Sequence, residues 1–203
     1  MSTLTNFQIY DLLNRPKPLW LVKIDLSDLN LLNVDLSDCN LSYANLTRAD
    51  LNWANLMGAN LTKANLNLAN LFEARLANAN LAGANLTRAN LTRADMSKCN
   101  LEEAILTEAN ISRGILSKSN LANTNLSGAI ITRADLSKSR LTNANLSHTD
   151  LYKANLFEAN LSGATLKNAN LAGADLTAAN LRGADLSEAN LEGADLTDTI
   201  MPQ

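Results

Sequence analysis

From Ile24 onward, apolar and polar residues recur every five positions. Ala54-Asn55-Leu56-Met57-Gly58 and Ala184-Asp185-Leu186-Ser187-Glu188 are typical units. Taking Leu as the centre, 35 units run without a break from Leu26 to Leu196. The centre is Leu in 32 of them and otherwise Met96, Ile111 or Ile131. Two positions before the centre, 25 of 35 residues are Ala; one position before it, 29 are Asn or Asp. The two positions after the centre vary, with Ser and Thr frequent in the first.

A period of five is neither the 3.6 of a helix nor the 2 of a strand. Leu at every fifth position would drift around a helix axis, which excludes a long amphipathic helix or coiled coil. Three extended residues and a two-residue corner fit the period. Alternation then turns Ala and Leu inward and the intervening Asn or Asp outward, and the corner resets the phase. Four right-angled corners close one coil in 20 residues. The charges agree: Arg93, Arg113, Arg133 and Lys153 are spaced by 20, as are Lys98, Lys118 and Lys138. Coils stacked about 4.8 Å apart would form a rod roughly 40 Å long, with the small Ala keeping the tube narrow. Seven of the eight Gly occupy the second corner position, but Arg, Lys, Glu and Asn fill it elsewhere. That mixture predicts a corner that does not demand positive φ throughout. Pro occurs only at 16, 18 and 202, which leaves the ladder interior free of it, as hydrogen-bonded strands require.

The Ala-(Asp/Asn)-Leu-x-x pattern over residues 24–201 resembles the pentapeptide repeat family. The resemblance implies an all-β fold, a right-handed quadrilateral parallel β-helix. Its Leu-centred, Ala-rich style is similar to the cyanobacterial members, and less so to the Phe-centred members that protect DNA gyrase. The expected organisation is a capping helix and lead-in at 1–23, the β-helix at 24–201 and a tail at 202–203. Within the first segment, residues 4–14 read as a short helix with a Thr5-x-x-Gln8 capping box. Leu4, Phe7, Tyr10 and Leu13 lie on one face, and Pro16 stops the helix. This helix is expected to cover the first coil, with Trp20 and Leu21 packed beside it; dimerisation through it is the alternative. Met201 fits a centre position and is expected to plug the last coil.

Composition changes the picture mainly by exclusion. Lys and Arg number 17 against 20 Asp and Glu, with one His and two Cys in 203 residues. This balance lacks the basic excess of a dedicated nucleic-acid binder, and two Cys make no disulfide framework. No apolar run reaches the ~18 residues of a membrane span, and Met1–Tyr10 lacks the pattern of a signal peptide, so the expected compartment is the cytoplasm. His148 falls at a corner as a solvated residue. Cys39 and Cys99 take the inward Ala position three coils apart, too far for a disulfide, and read as small buried hydrophobes. No Cys/His cluster has metal-ligand spacing, and no Gly-rich loop leads a helix toward a phosphate. The regular outward Asn and Asp are expected to satisfy backbone or ladder neighbours. The sequence predicts no enzyme and no cofactor.

What remains is the surface. Arg93, Arg113, Arg133 and Lys153 form one column, and Lys98, Lys118 and Lys138 form a second on the next face. Trp53, Phe72 and Tyr152 share the face of the arginine column, and Phe157 lies on the lysine face; all are corner residues expected to point outward. These eleven residues are the candidate interface for an acidic protein partner, since Arg and aromatic residues dominate binding hot spots. Ile105, Ile115 and Ile130 replace outward Asn or Asp and suggest an apolar contact spot within the basic region. Residues 88–153 carry net +3, and residues 154–203 carry net −5. The expected function is a non-enzymatic protein-binding scaffold, as a monomer or weak dimer, with no nucleic-acid or membrane partner. A DNA-mimicking modulator of gyrase, suggested by the resemblance, and a structural spacer are the alternatives.

Overall fold

The computed structural model describes residues 6–202. After one helix, α1 (Asn6–Leu13), the chain is a stack of coils. Parallel bridges join each outward residue to the one 20 positions later, from Trp20↔Asn40 to Asn180↔Ile200. Each unit contributes a single bridged residue, so the sides are rows of isolated bridges rather than the three-residue strands expected. The ladder begins at Trp20, one unit before the frame read from Ile24. Centres and Ala positions form one continuous core: from Leu36 to Leu181 every central side chain is at most 1% exposed.

One unit shows how the backbone is satisfied. The Ala44 N–H donates to the Leu41 carbonyl at 3.0 Å and closes the corner. Asn45 donates down to Ile24 (2.8 Å), while Leu46 and Arg48 donate up to Asn65 (2.7 Å) and Asn67 (2.9 Å). Thr47, the fifth donor, has no backbone acceptor; it donates to Asn45 Oδ1 at 3.2 Å. This is an Asx turn, and it explains the Asn/Asp signature: the outward position carries the acceptor that completes most corners. It also explains the Ser and Thr that follow the centre, since the Thr47 hydroxyl donates to the same oxygen at 2.7 Å. Many Asn residues further donate Nδ2 to the residue one coil below, as Asn45 does to Asp25 (2.9 Å) and Asn90 to Asn70 (2.8 Å).

The corner itself departs from the sequence expectation. Every second corner residue from Lys23 to Asp198 has positive φ: 29 non-glycine residues at 53–62° and seven glycines at 64–69°. Positive φ at the third residue only, closed by the hydrogen bond from the fourth to the first, is the type II turn pattern. Left-handed backbone costs an L-residue roughly 1–2 kcal/mol. In most units three hydrogen bonds accompany it, one within the turn, one to Asx and one to the coil above, and Glu108 and Glu188 keep the same φ without the Asx bond or the upward bond respectively. The mixture of Arg, Lys, Glu and Asn at this position therefore reports tertiary override of local preference, not a relaxed corner.

At the N-terminal end, Ile9 is buried, and Leu12 and Leu13 pack against the core, so α1 does cover the first coil. There Ile24, Leu29 and Val34 stand in place of Ala and enlarge the apolar surface that the helix meets. Leu4, Thr5 and the side chains of Phe7, Gln8 and Tyr10 lie outside the described residues. Trp20 is not packed beside the helix: it occupies an outward bridge position and is 78% exposed, while its neighbours Leu19 and Leu21 are buried. Met201 is at a centre position but 41% exposed, so it does not plug the last coil. Lys17 is ion-paired with Asp35 and ties the lead-in to the first coil. Among the described residues, no helix is long and apolar enough to cross a membrane.

Two stability outcomes follow from this hydrogen-bond pattern. Ile105 leaves the Thr107 N–H without an Asx acceptor, so Ile105→Asn is expected to stabilise the fold by about 1 kcal/mol. An unchanged or lowered denaturation midpoint would contradict the Asx account. Gly128 has φ +68°, and an added Cβ would meet only Glu108 Cγ at 3.5 Å. Gly128→Ala should thus cost about 1 kcal/mol from backbone conformation alone, measured in the same unfolding experiment.

Candidate interaction surface

The face with centres Leu36 to Leu196 is bordered by both cationic columns: Arg93, Arg113, Arg133 and Lys153 on one edge, Lys98, Lys118 and Lys138 on the other. Between them run the bridge residues Asp95, Ile115 and Asp135. The columns do not stand as uninterrupted cation rows. Arg93 pairs one coil down with Glu73 at 3.1 Å, and Lys138 pairs one coil up with Glu158 at 3.6 Å. Exposed pairs of this kind contribute little to stability; Lys98 and Lys153, at the same ends of the patch, make no ion pair among the described residues. Arg113, Lys118 and Arg133 are exposed and make no ion pair among the described residues.

The predicted aromatics are drawn into two separate clusters. In the lower one, Trp53 Nε1 donates to Glu73 Oε2 at 3.0 Å, and its ring meets Phe72 edge-on at 6.2 Å. Glu73 thereby links Trp53 and Phe72 to Arg93. In the upper one, Lys153 Nζ lies 5.1 Å from the Tyr152 ring centre, and Lys138 Nζ lies 5.6 Å from that of Phe157. Trp53 and Tyr152 are exposed, at 48% and 38%. Phe72 and Phe157 are half-buried, against Trp53 and Lys138 of adjacent coils, while Tyr152 at the same corner position is exposed. The isoleucines form no contact spot: Ile105, Ile130 and Ile115 lie on three successive faces of the rod.

A third group was not anticipated. Tyr43 is sandwiched by Lys23 and Lys63, with both ammonium groups about 6 Å from its ring centre (6.0 and 5.9 Å). Spacing by 20 would have found it, since residues 23, 43 and 63 form one column. On another column Arg48 pairs with Asp28 at 2.5 Å and Arg88 with Glu108 at 2.7 Å; each partner raises the arginine further and lowers the carboxylate.

The interior offers inert chemistry. Cys39 and Cys99 are free, buried and on one side of the tube, as their spacing predicted. The Cys99 thiol donates to the Leu76 carbonyl, and burial pushes it up to about 12. Ser139 and Thr149 fill inward positions by donating to Leu136 and Leu146, each at 2.6 Å. His148 is exposed at a corner. Among the described residues, no group of His, Cys, Asp and Glu could hold a metal ion. A cavity of 540 Å³ is an open cleft between the end of α1 and the first coils, crossed by the Lys17–Asp35 pair.

Against this geometry stand the comparisons. The family model for pentapeptide repeats matches residues 21–156 in overlapping copies and 159–198. The chain belongs to the pentapeptide repeat family. Membership implies the right-handed quadrilateral β-helix, in keeping with the four-sided coil of 20 residues described above. HetL of the cyanobacterium Nostoc sp. strain PCC 7120, described as involved in heterocyst differentiation regulation, is 34% identical. The match covers 90% of this chain and 89% of HetL, with a TM-score of 0.33. Rfr23 of the cyanobacterium Cyanothece 51142 is 32% identical over 60% of this chain and 90% of its own, with a TM-score of 0.25. QnrB1, a plasmid-mediated fluoroquinolone resistance protein, is 21% identical over 91% of this chain and 84% of its own, with a TM-score of 0.61. That likeness shows the shared fold. No curated protein matches the chain.

The raised Cys99 makes a pH prediction for this pentapeptide repeat rod. Its thiol rises in the fold from an ordinary value of 9.0 to about 12. Between those values the unfolded chain holds fewer protons than the folded one, so stability falls as pH rises. Below the unfolded value the contribution is complete. Cys99→Ala should flatten the loss of stability above pH 9 relative to the wild type, and parallel pH profiles of the two would refute it.

Proposed function

We propose that this protein is a non-enzymatic binding scaffold that presents its basic face to an acidic protein partner. The observation that carries the reading is the free trio Arg113, Lys118 and Arg133, exposed on both edges of one rigid face and without ion pairs among the described residues. Spacing of about 4.8 Å between coils brings like charges close within a column, and an acidic ligand relieves that repulsion. The aromatic clusters at either end of the trio supply apolar contact area next to the cations. Because the backbone pairs every coil to the next, the face is preorganised and loses little conformational entropy on binding. DNA mimicry fits this surface less well, since the cations interrupt the acidic bridge residues of the same face.

The test compares immobilised wild type with the Arg113→Glu, Lys118→Glu, Arg133→Glu variant, both shown to be folded by circular dichroism. Each is exposed to lysate of the source cell at low protein concentration. The expected result is a partner held by the wild type, released by salt and absent from the variant. Identical capture by both would place function elsewhere.

A further inference from the structure

The same face has a charge sequence that reverses along the rod. Each coil shows it a corner residue, a bridge residue and the two residues of the next corner. The coil of Arg113, Ile115 and Lys118 carries +2, and the coil of Arg133, Asp135 and Lys138 carries +1. The coil of Lys153, Asn155 and Glu158 is neutral. Beyond it, the coil of Asp175 carries −1, and the coil of Asp195 and Asp198 carries −2. The charges on either side of Asn155 are equal and opposite.

We propose that this face binds a second copy of the chain, antiparallel, about a two-fold axis that crosses the coil of Asn155 and Phe157. The proposal rests on the reading of the face as an interaction surface and gives it a second, competing occupant. A two-fold axis in the interface lays each column over its own reverse, which makes the contact isologous and closed. Side-chain size follows charge in that register. Arg113 meets Gly193 and Arg133 meets Gly173 of the second copy, so long side chains stand over corners that have none. Their guanidinium groups then reach Asp195 and Asp175, the bridge residues beside those glycines. Lys118 faces Asp198 directly. The half-buried Phe157 lies at the axis and meets its own copy, a contact that suits aromatic rings.

The register has costs. Asp135 faces Asp175, with Arg133 between them. Lys153 and Glu158 each face their own copies across the axis, but both are exposed corner residues that can turn to solvent. A rival axis at the coil of Arg75 would set Asp35 and Asp38 over the +2 coil. The Lys17–Asp35 ion pair cancels half of that charge and favours the register at Asn155. Five coils give roughly 24 Å of contact, short of a standard interface. The dimer is therefore weak, reversible and sensitive to salt. It covers Arg113, Lys118 and Arg133, so self-association and partner capture exclude each other.

Analytical ultracentrifugation at about 20 mM and about 0.5 M salt tests this. The wild type should dimerise at low salt and dissociate at high salt. Two variants isolate the halves of the contact. Arg113→Glu, Lys118→Glu, Arg133→Glu reverses the basic half. Asp175→Asn, Asp195→Asn, Asp198→Lys removes the acidic half and keeps the Asx acceptors. Each variant alone should be monomeric at low salt, and an equimolar mixture should dimerise again, because each altered half then meets a complementary one. A monomeric wild type, a dimer that survives in either variant, or a mixture that stays monomeric would overturn the proposal. The acid-half variant keeps the basic face, so its capture of a lysate partner tests the scaffold reading independently.

Discussion

The structure depends on closing a right-angled corner every five residues while pairing most of the backbone donors. Four of the five N–H groups in a unit find carbonyls, either in the turn or in adjacent coils. The fifth, just after the centre, lies where the chain swings outward and no carbonyl reaches it. The outward Asn or Asp supplies the missing acceptor from the side. Burial of Leu drives collapse, but burial alone does not specify a square tube. The corner does, and it repeats from Lys23 to Asp198 without exception.

Stacking by 20 residues then turns one-dimensional sequence into columns. A residue's nearest outward neighbours are not those beside it in the chain but those 20 before and after. Arg93 thus finds Glu73, Lys138 finds Glu158, and Tyr43 finds Lys23 and Lys63. Charges at this spacing must be paired, displaced or left as a binding surface. Pairing takes Arg93 and Lys138 and leaves the middle cations, with Lys98 and Lys153, without an ion pair among the described residues. The inside is governed by the same neighbours: Thr124 and Thr199 reach carbonyls one coil below, and Cys99 does so with sulfur.

Such a rod binds by face rather than by pocket. The cleft beside α1 exists because the helix and its lead-in break the regularity. Elsewhere chemistry is distributed along flat sides, where recognition depends on the order of charges and on the alternation of long and absent side chains. The reversal of charge about Asn155 is legible only in that order; total composition, slightly acidic, conceals it.

The sequence by itself determined the period, the inward pair, the coil of 20 and the placement of each charge in its column, because these follow from the alternation of the chain and an unbroken frame. The capped end was also legible, in the apolar run before Pro16 and the bulky Ile24, Leu29 and Val34. The family resemblance added the form of the β-helix. The tertiary structure alone decided what happens at the corners and on the surface. Left-handed backbone at Arg, Lys and Trp contradicts local preference and is imposed by the closed corner within the stack. Trp20 is outward because bridging to Asn40 sets its face, although its size suggested packing against the helix. Phe72 and Phe157 are half-buried because Trp53 and Lys138 of adjacent coils lie against their rings. Pairing of Arg93 and Lys138 depends on which coil each side chain leans toward. Contacts between coils settle these points, and the five-residue pattern carries no information about them.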